Sequence, residues 1–220
     1  MKFDWADNWP LFLESFGETI YIVAIAMVLG GIAGLVMGLA LYTTRSGGLF
    51  ENNTVFTLLN VLVNFIRPIP FVIFLTAVGP LTILLTGSRI GTQAFIVPAS
   101  IMCAFATSRI VEQNLVALDP GMIEAARSMG ASPMRIISTV VIPEALGPLI
   151  LGYTFIFVAV VDMSALAGII GGGGLGDFAL TQGYQRFDWG VTWITVLVIV
   201  ALVQVVQFLG NGLARRVLHR

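Results

Sequence analysis

Charge is what this sequence has least of. Asp, Glu, Lys and Arg make up 10% of its 220 residues, hydrophobic residues make up 57%, and the formal net charge is -1. So little polar surface cannot cover a water-soluble globule of this size, and the mean hydropathy of +0.95 belongs to a chain in a membrane. The missing basic field excludes nucleic-acid binding, which needs clustered cations to displace the counterions of phosphate. A single Cys103 forms no internal disulfide, and a single His219 in the tail leaves no His/Cys metal cage. With that histidine so placed, Ser164 near Asp162 has no Ser/His partner at membrane depth, which argues against an enzyme. The opening Met1-Lys2-Phe3-Asp4-Trp5, followed by Asp7, Glu14 and Glu18, lacks the basic n-region of a cleaved signal peptide, so the first span is expected to remain.

Long uncharged runs are what the sequence has in quantity. Crossing roughly 30 Å of hydrocarbon takes about 20 helical residues, and five regions qualify. The predicted spans are 19–44, 54–80, 90–112, 145–170 and 190–214, with an inner loop at 113–143 and an outer loop at 171–189. The expected fold is an all-α membrane protein with five transmembrane helices in one domain. The second span carries Arg67-Pro68-Ile69-Pro70, which predicts a kink, and Gly79-Pro80 predicts that the chain leaves the helix there, with Leu81 to Leu85 re-entrant or interfacial. Lys and Arg favour the cytoplasmic side. Five spans put Arg45, Arg109, Arg127, Arg135, Arg215, Arg216 and Arg220 inside against Lys2, Arg89 and Arg186 outside. The N-terminus, with Trp5 and Trp9 at the interface, is then external and the C-terminus cytoplasmic.

A polar knot interrupts the apolar runs on the inner side. Asp119-Pro120 is an N-cap followed by proline at the first helical position, Gly130 supplies a left-handed stop, Ser132-Pro133 repeats the start, and Pro143 marks a second stop. Two short helices joined at a glycine elbow are expected. Helices this short are marginal alone and need a receiving surface. Met122, Ile123, Ala126 and Met129 form the apolar side, while Glu124, Arg127 and Ser128 face water or a charged partner. The plainer alternative is a basic loop that only sets topology.

Glu124-Ala125-Ala126, Gly130 and then Ile142-Pro143 resemble the EAA loop of bacterial ABC importer permeases, with Ile142 in place of that family's leucine. "NFIRPIPFVIFL", "EAARSMGASPMRI", "IPEALGPLI" and "GIIGGGGLGDFALTQGYQRF" extend the likeness over nearly the whole chain, to the methionine-import branch. The resemblance implies a type I importer permease: five spans per subunit, a homodimer in the bacterial cytoplasmic (inner) membrane, and cargo delivered by an external binding lipoprotein. It implies that a cytoplasmic ABC ATPase dimer holds ATP and magnesium, so this chain needs no cofactor of its own. It also assigns Glu124, Ala125, Ala126, Arg127, Gly130, Ser132, Pro133 and Arg135 to the coupling helix region that docks on that ATPase. Small Ala125 and Ala126 allow close approach, and Glu124 and Arg127 fix register by charge-assisted hydrogen bonds.

Other constellations carry more than one reading. Gly171, Gly172, Gly173, Gly174 and Gly176 are followed by no Gly-Lys-Ser/Thr, so they are not a Walker loop. A tight turn, close packing or part of an outer gate fits them better. Gly30, Gly34 and Gly38 recur every four residues, the small-residue pattern of a helix seam, either within the subunit or across a dimer. Arg67 and Asp162 sit where an unpaired charge is expensive, so they pair with each other, face a watery path, or, for Arg67, snorkel to headgroups. Arg67, Pro68 and Pro70 on one side, with Asp162, Met163 and Ser164 on the other, are the candidate substrate path. Asp162 departs from the small neutral residue usual there in the family, which bears on the cargo. Two alternatives stand: a permease for another amino acid or an osmolyte, and an autonomous secondary transporter or channel, suggested by the broken second span.

Overall fold

The computed structural model describes residues 5–218; Lys2, His219 and Arg220 lie outside the described residues. Ten α-helices appear among the described residues: α1 (Trp5–Thr44), α2 (Asn53–Ile66), α3 (Phe71–Ala77), α4 (Gly79–Thr86), α5 (Thr92–Val116), α6 (Pro120–Ser128), α7 (Pro133–Ile136), α8 (Ile142–Ser164), α9 (Gly174–Phe178) and α10 (Trp189–Leu218). Four stretches are long and apolar enough to cross a membrane: α1, α5, the continuous Pro133–Ser164 and α10; the bent pair α2 and α3 supplies a fifth.

The two ends of the bundle are marked by hydrogen bonds. At one end the Gly91 amide donates to Ile170 O at 2.9 Å and Thr92 Oγ1 donates to Gly172 O at 3.0 Å. There the Gly174 amide also reaches Glu18 Oε2 at 2.7 Å. The N-terminal half of α1, at Glu18, and the start of α5 therefore meet the segment that follows α8. At the other end Arg127 Nη2 donates to Gly48 O at 3.3 Å, just beyond α1. So α1 and α5 run parallel, α8 runs against them, and α2 to α4 carry the chain back between Thr44 and Thr92. Among the described residues α5 is the inner helix, burying Phe95, Ala99, Cys103 and Val111.

The glycine ladder of α1 fits against α5 within this one chain. A Cβ added at Gly30 would come 2.6 Å from Cys103 Cβ, one at Gly34 2.5 Å from Thr107 Cβ, and one at Gly38 2.6 Å from Val111 Cβ. Only glycine permits that approach. Tyr153 on α8 adds a tie to α1, its hydroxyl donating to Gly31 O at 2.7 Å.

Three local expectations need correction. The kink at Arg67 to Pro70 is a 110° break between α2 and α3, because Pro68 and Pro70 both lack the amide that would continue the ladder. The chain does leave α3 at Val78, but Gly79-Pro80 then opens a further helix, α4, which contains Leu81 to Leu85 with Pro80 in its first turn. Pro143 is no stop either. The chain passes from α7 through a π-helix at Ile137–Val141 directly into α8, with Pro143 in the first turn of α8. The wider i→i+5 turn accepts the ring without a broken α ladder. The stretch after α8 is also more regular than a loop: a 3₁₀ turn at Ala167–Ile170, α9, and a π-helix at Ala179–Tyr184 lead to α10.

Candidate functional site

The polar knot folds around its caps. Asp119 Oδ1 accepts from the Gly121 amide at 2.9 Å and Pro120 fills the first turn of α6. At the far end Gly130 takes φ +79°. Its amide donates to Arg127 O at 2.9 Å while the Ala131 amide donates to Ala126 O at 3.1 Å. This paired 5→2 and 6→1 arrangement is a Schellman stop, which needs a residue at ease in the left-handed region.

Packing divides the helix into two sides. Ala126 is buried beside Ile136, Val141, Ala145, Leu115 and Tyr42, with Ile123 and Ala131 against the same cluster. Glu124, Ala125, Arg127, Ser132, Pro133 and Arg135 are exposed. Met129, expected on the apolar side, is 81% exposed, and Met134 is 65% exposed. The Schellman turn reverses the chain before Met129 can reach the core, leaving two flexible apolar side chains on the outer face. Ser132 opens α7 without a side-chain cap bond. Between α6 and the 45–49 turn lies a cavity of about 110 Å³ lined by Tyr42, Arg45, Gly48, Glu124 and Arg127 among others. The Arg45 guanidinium lies 4.9 Å from the Tyr42 ring centroid.

At the opposite end the glycine-rich segment is tied to α1. Gly171, Gly173 and Gly174 have positive φ, and Gly172, Gly174 and Gly176 are buried. Glu18 Oε2 accepts from the Gly174 amide at 2.7 Å, and Thr19 Oγ1 accepts from the Leu175 amide at 2.8 Å. A Cβ on Gly174 would press on Thr19 Oγ1 at 3.0 Å.

The candidate path residues are not all gathered. Arg67, Pro68 and Pro70 are exposed at the α2–α3 break and Asp162 is exposed on α8. Asp162 borders a cavity of about 200 Å³ with Thr19, Ser164, Leu175 and Gly176. Met163 and Ser164 face the core, and Ser164 Oγ donates to Val161 O at 2.7 Å. Arg67 and Asp162 are not joined. Among the described residues the ion pair is Arg109 with Glu112, at 2.5 Å, and Arg109 Nη1 also donates to Asn60 Oδ1 at 3.3 Å. Sequence reasoning counted Arg109 only among the cytoplasmic-side cations and gave Asn60 and Glu18 no role. Only the clustering of polar residues on one face of α2, and a Glu directly before an uncharged run, could have signalled them.

The family of binding-protein-dependent transport system inner membrane components matches residues 30–219. The chain belongs to this family. It is 41% identical over 213 residues to the probable D-methionine transport system permease protein MetI of Vibrio cholerae, covering 97% of this chain and 95% of that one. It is 37% identical over 171 residues to the methionine import system permease protein MetP of Bacillus subtilis, covering 78% and 77%. Among solved structures, the inward-facing MetNI methionine ABC transporter aligns with TM-score 0.93 at 35% identity, covering 98% of this permease and 99% of that chain.

Proposed function

We propose that this permease is the transmembrane subunit of an ATP-driven ABC importer for methionine. It works as a homodimer that receives cargo from an external binding protein, and a cytoplasmic ATPase dimer holds ATP and magnesium. The observation that carries the coupling role is the capped α6: its buried side is fixed to the bundle at Ala126, while Glu124, Ala125, Arg127, Met129 and Met134 are left for a partner. Gly130, Ser132, Pro133 and Arg135 shape and flank that surface. ATP-driven closure of the partner would draw the two α6 helices together and open the far end; hydrolysis would reset it. In this reading the α6 end is cytoplasmic and the Glu18 end external, so the N-terminus is outside and the C-terminus inside, in agreement with the Lys and Arg distribution. The glycine-rich segment, clasped by Glu18 and Thr19, belongs to the outer gate, and Arg67, Pro68, Pro70, Asp162, Met163 and Ser164 to its approaches.

The test is labelled methionine uptake in cells carrying this chain with its ATPase and binding protein. Excess unlabelled D- or L-methionine is expected to compete, and Glu124→Lys is expected to release the ATPase on co-purification and abolish uptake. Failure of methionine to compete removes the cargo. Retention of the ATPase with uptake independent of ATP removes the coupling mechanism in favour of an autonomous transporter.

A further inference from the structure

The face of α2 left outside the packed core carries a polar stripe at membrane depth. Asn53, Thr57, Asn60, Asn64 and Arg67 alternate at spacings of four and three residues. At 3.6 residues per turn they fall within about 80° of arc. Phe56, Leu59, Val63 and Ile66 pack toward Leu41 and Phe105, and Leu58, Val61 and Phe65 form a separate exposed apolar face. The stripe is wired inward. Asn64 Nδ2 donates to Asn60 Oδ1 at 3.1 Å, Asn60 Oδ1 also accepts from Arg109, and Arg109 pairs with buried Glu112. Carboxamides and a guanidinium aimed at lipid would be costly, so such a face turns to water or to protein.

We propose that Thr57, Asn60, Asn64 and Arg109 line the inner half of the translocation path and form a weak site for the α-carboxylate of the amino-acid cargo. This rests on the importer reading above. The amide and guanidinium N–H groups supply donors for a carboxylate. Glu112 cancels the charge of Arg109, so a zwitterion meets a polar but neutral surface. Such a surface favours entry without trapping the solute, as a passage requires.

The experiment uses the whole transporter in inside-out membrane vesicles and a charged, membrane-impermeant methanethiosulfonate. Labelling is read on this chain, whose one native thiol, Cys103, is buried. Thr57→Cys and Asn64→Cys are expected to react about tenfold or more faster than Leu58→Cys and Phe65→Cys, because the reagent is excluded from hydrocarbon. Millimolar methionine is expected to slow Asn64→Cys, and methioninol, which lacks the carboxylate, is expected not to. Equal rates on both faces overturn the path. So does an Asn64→Cys disulfide between two copies without reagent access, which makes the stripe a dimer seam. Equal protection by methioninol overturns the carboxylate site. The labelling pattern is independent of cargo identity, so failed methionine uptake by the unmodified transporter is distinguishable from failure of this proposal.

Discussion

Gly34→Ala tests the seam on which the bundle is built. The new Cβ would stand 2.5 Å from Thr107 Cβ and 2.6 Å from Ala104 O. Optimal carbon–carbon contact is about 3.5–4.0 Å, so α1 and α5 must part by roughly 1 Å. Neither obstacle can swing aside, since one is a Cβ and the other a backbone carbonyl. Overpacking of this kind costs about 1–3 kcal/mol. Against it stands the preference of a helix interior for Ala over Gly, about 1 kcal/mol. Gly212→Ala on α10 isolates the two effects, because a Cβ there meets nothing within 4 Å. The helix preference is common to both variants and only Gly34→Ala carries the clash. Their difference is therefore the packing cost, with Gly34→Ala the less stable by about 1–3 kcal/mol. The assay is built into the chain. Cys103, its only cysteine, lies in the same seam opposite Gly30, so the onset of labelling by a thiol-reactive dye on heating reports when α1 and α5 separate. Coincident melting curves for the two variants, or a higher midpoint for Gly34→Ala, would refute the argument.

Gly130→Val places a β-branched residue at φ +79°, where the left-handed conformation costs about 1–2 kcal/mol. The spans should stay folded while co-purification with the ATPase weakens, and unchanged co-purification would count against the Schellman stop as a docking determinant. Glu18→Gln replaces a charge-assisted hydrogen bond to the Gly174 amide with a neutral one. That is a loss of about 1 kcal/mol, read as faster hydrogen exchange at Gly174 and Leu175; unchanged exchange would dissolve the proposed outer clasp.

What could be read in advance was local chemistry. Asp119-Pro120 and Gly130 announce the bounds of α6 because a cap needs only residues within a turn of it. Charge-free length announces five spans for the same reason. Pro143 misleads because the usual rule assumes an α ladder, and the π-helix at Ile137–Val141 removes the carbonyl conflict on which the rule depends. The 110° break at Arg67 to Pro70 was legible as a discontinuity but not as an angle, which tertiary packing sets. Gly30, Gly34 and Gly38 declare a close contact without naming the partner helix. The bond from Arg109 to Asn60 joins residues 49 apart in the chain, and no pattern along either helix contains that information.

The π-helix also determines how a push on α6 would travel. Ile136 and Val141 are both fully buried in the cluster that holds Ala126. In an α-helix, residues five apart stand about 140° from each other, on largely different faces. The i→i+5 turn stacks them, so the segment between Gly130 and the membrane keeps its grip on α6 and also continues as one helix from Pro133 to Ser164. On the proposed lever reading, displacement at α6 enters α8 without a flexible joint and arrives near the clasped glycine segment. Deleting Ser138 is the sharp perturbation. Its side chain is exposed and donates only to Arg135 O, at 3.2 Å, so nothing but the extra residue of the π turn is lost. Removing one residue lets an ordinary α turn close with Ile136 and Val141 four apart, about 40° from each other, so α6 and α7 keep their orientation on α8. The expected result is a folded permease, monodisperse in detergent, whose ATPase still responds to the binding protein and whose methionine uptake is kept. Loss of uptake by that folded variant would mean that the π turn itself, and not the orientation of α6 on α8, carries the signal.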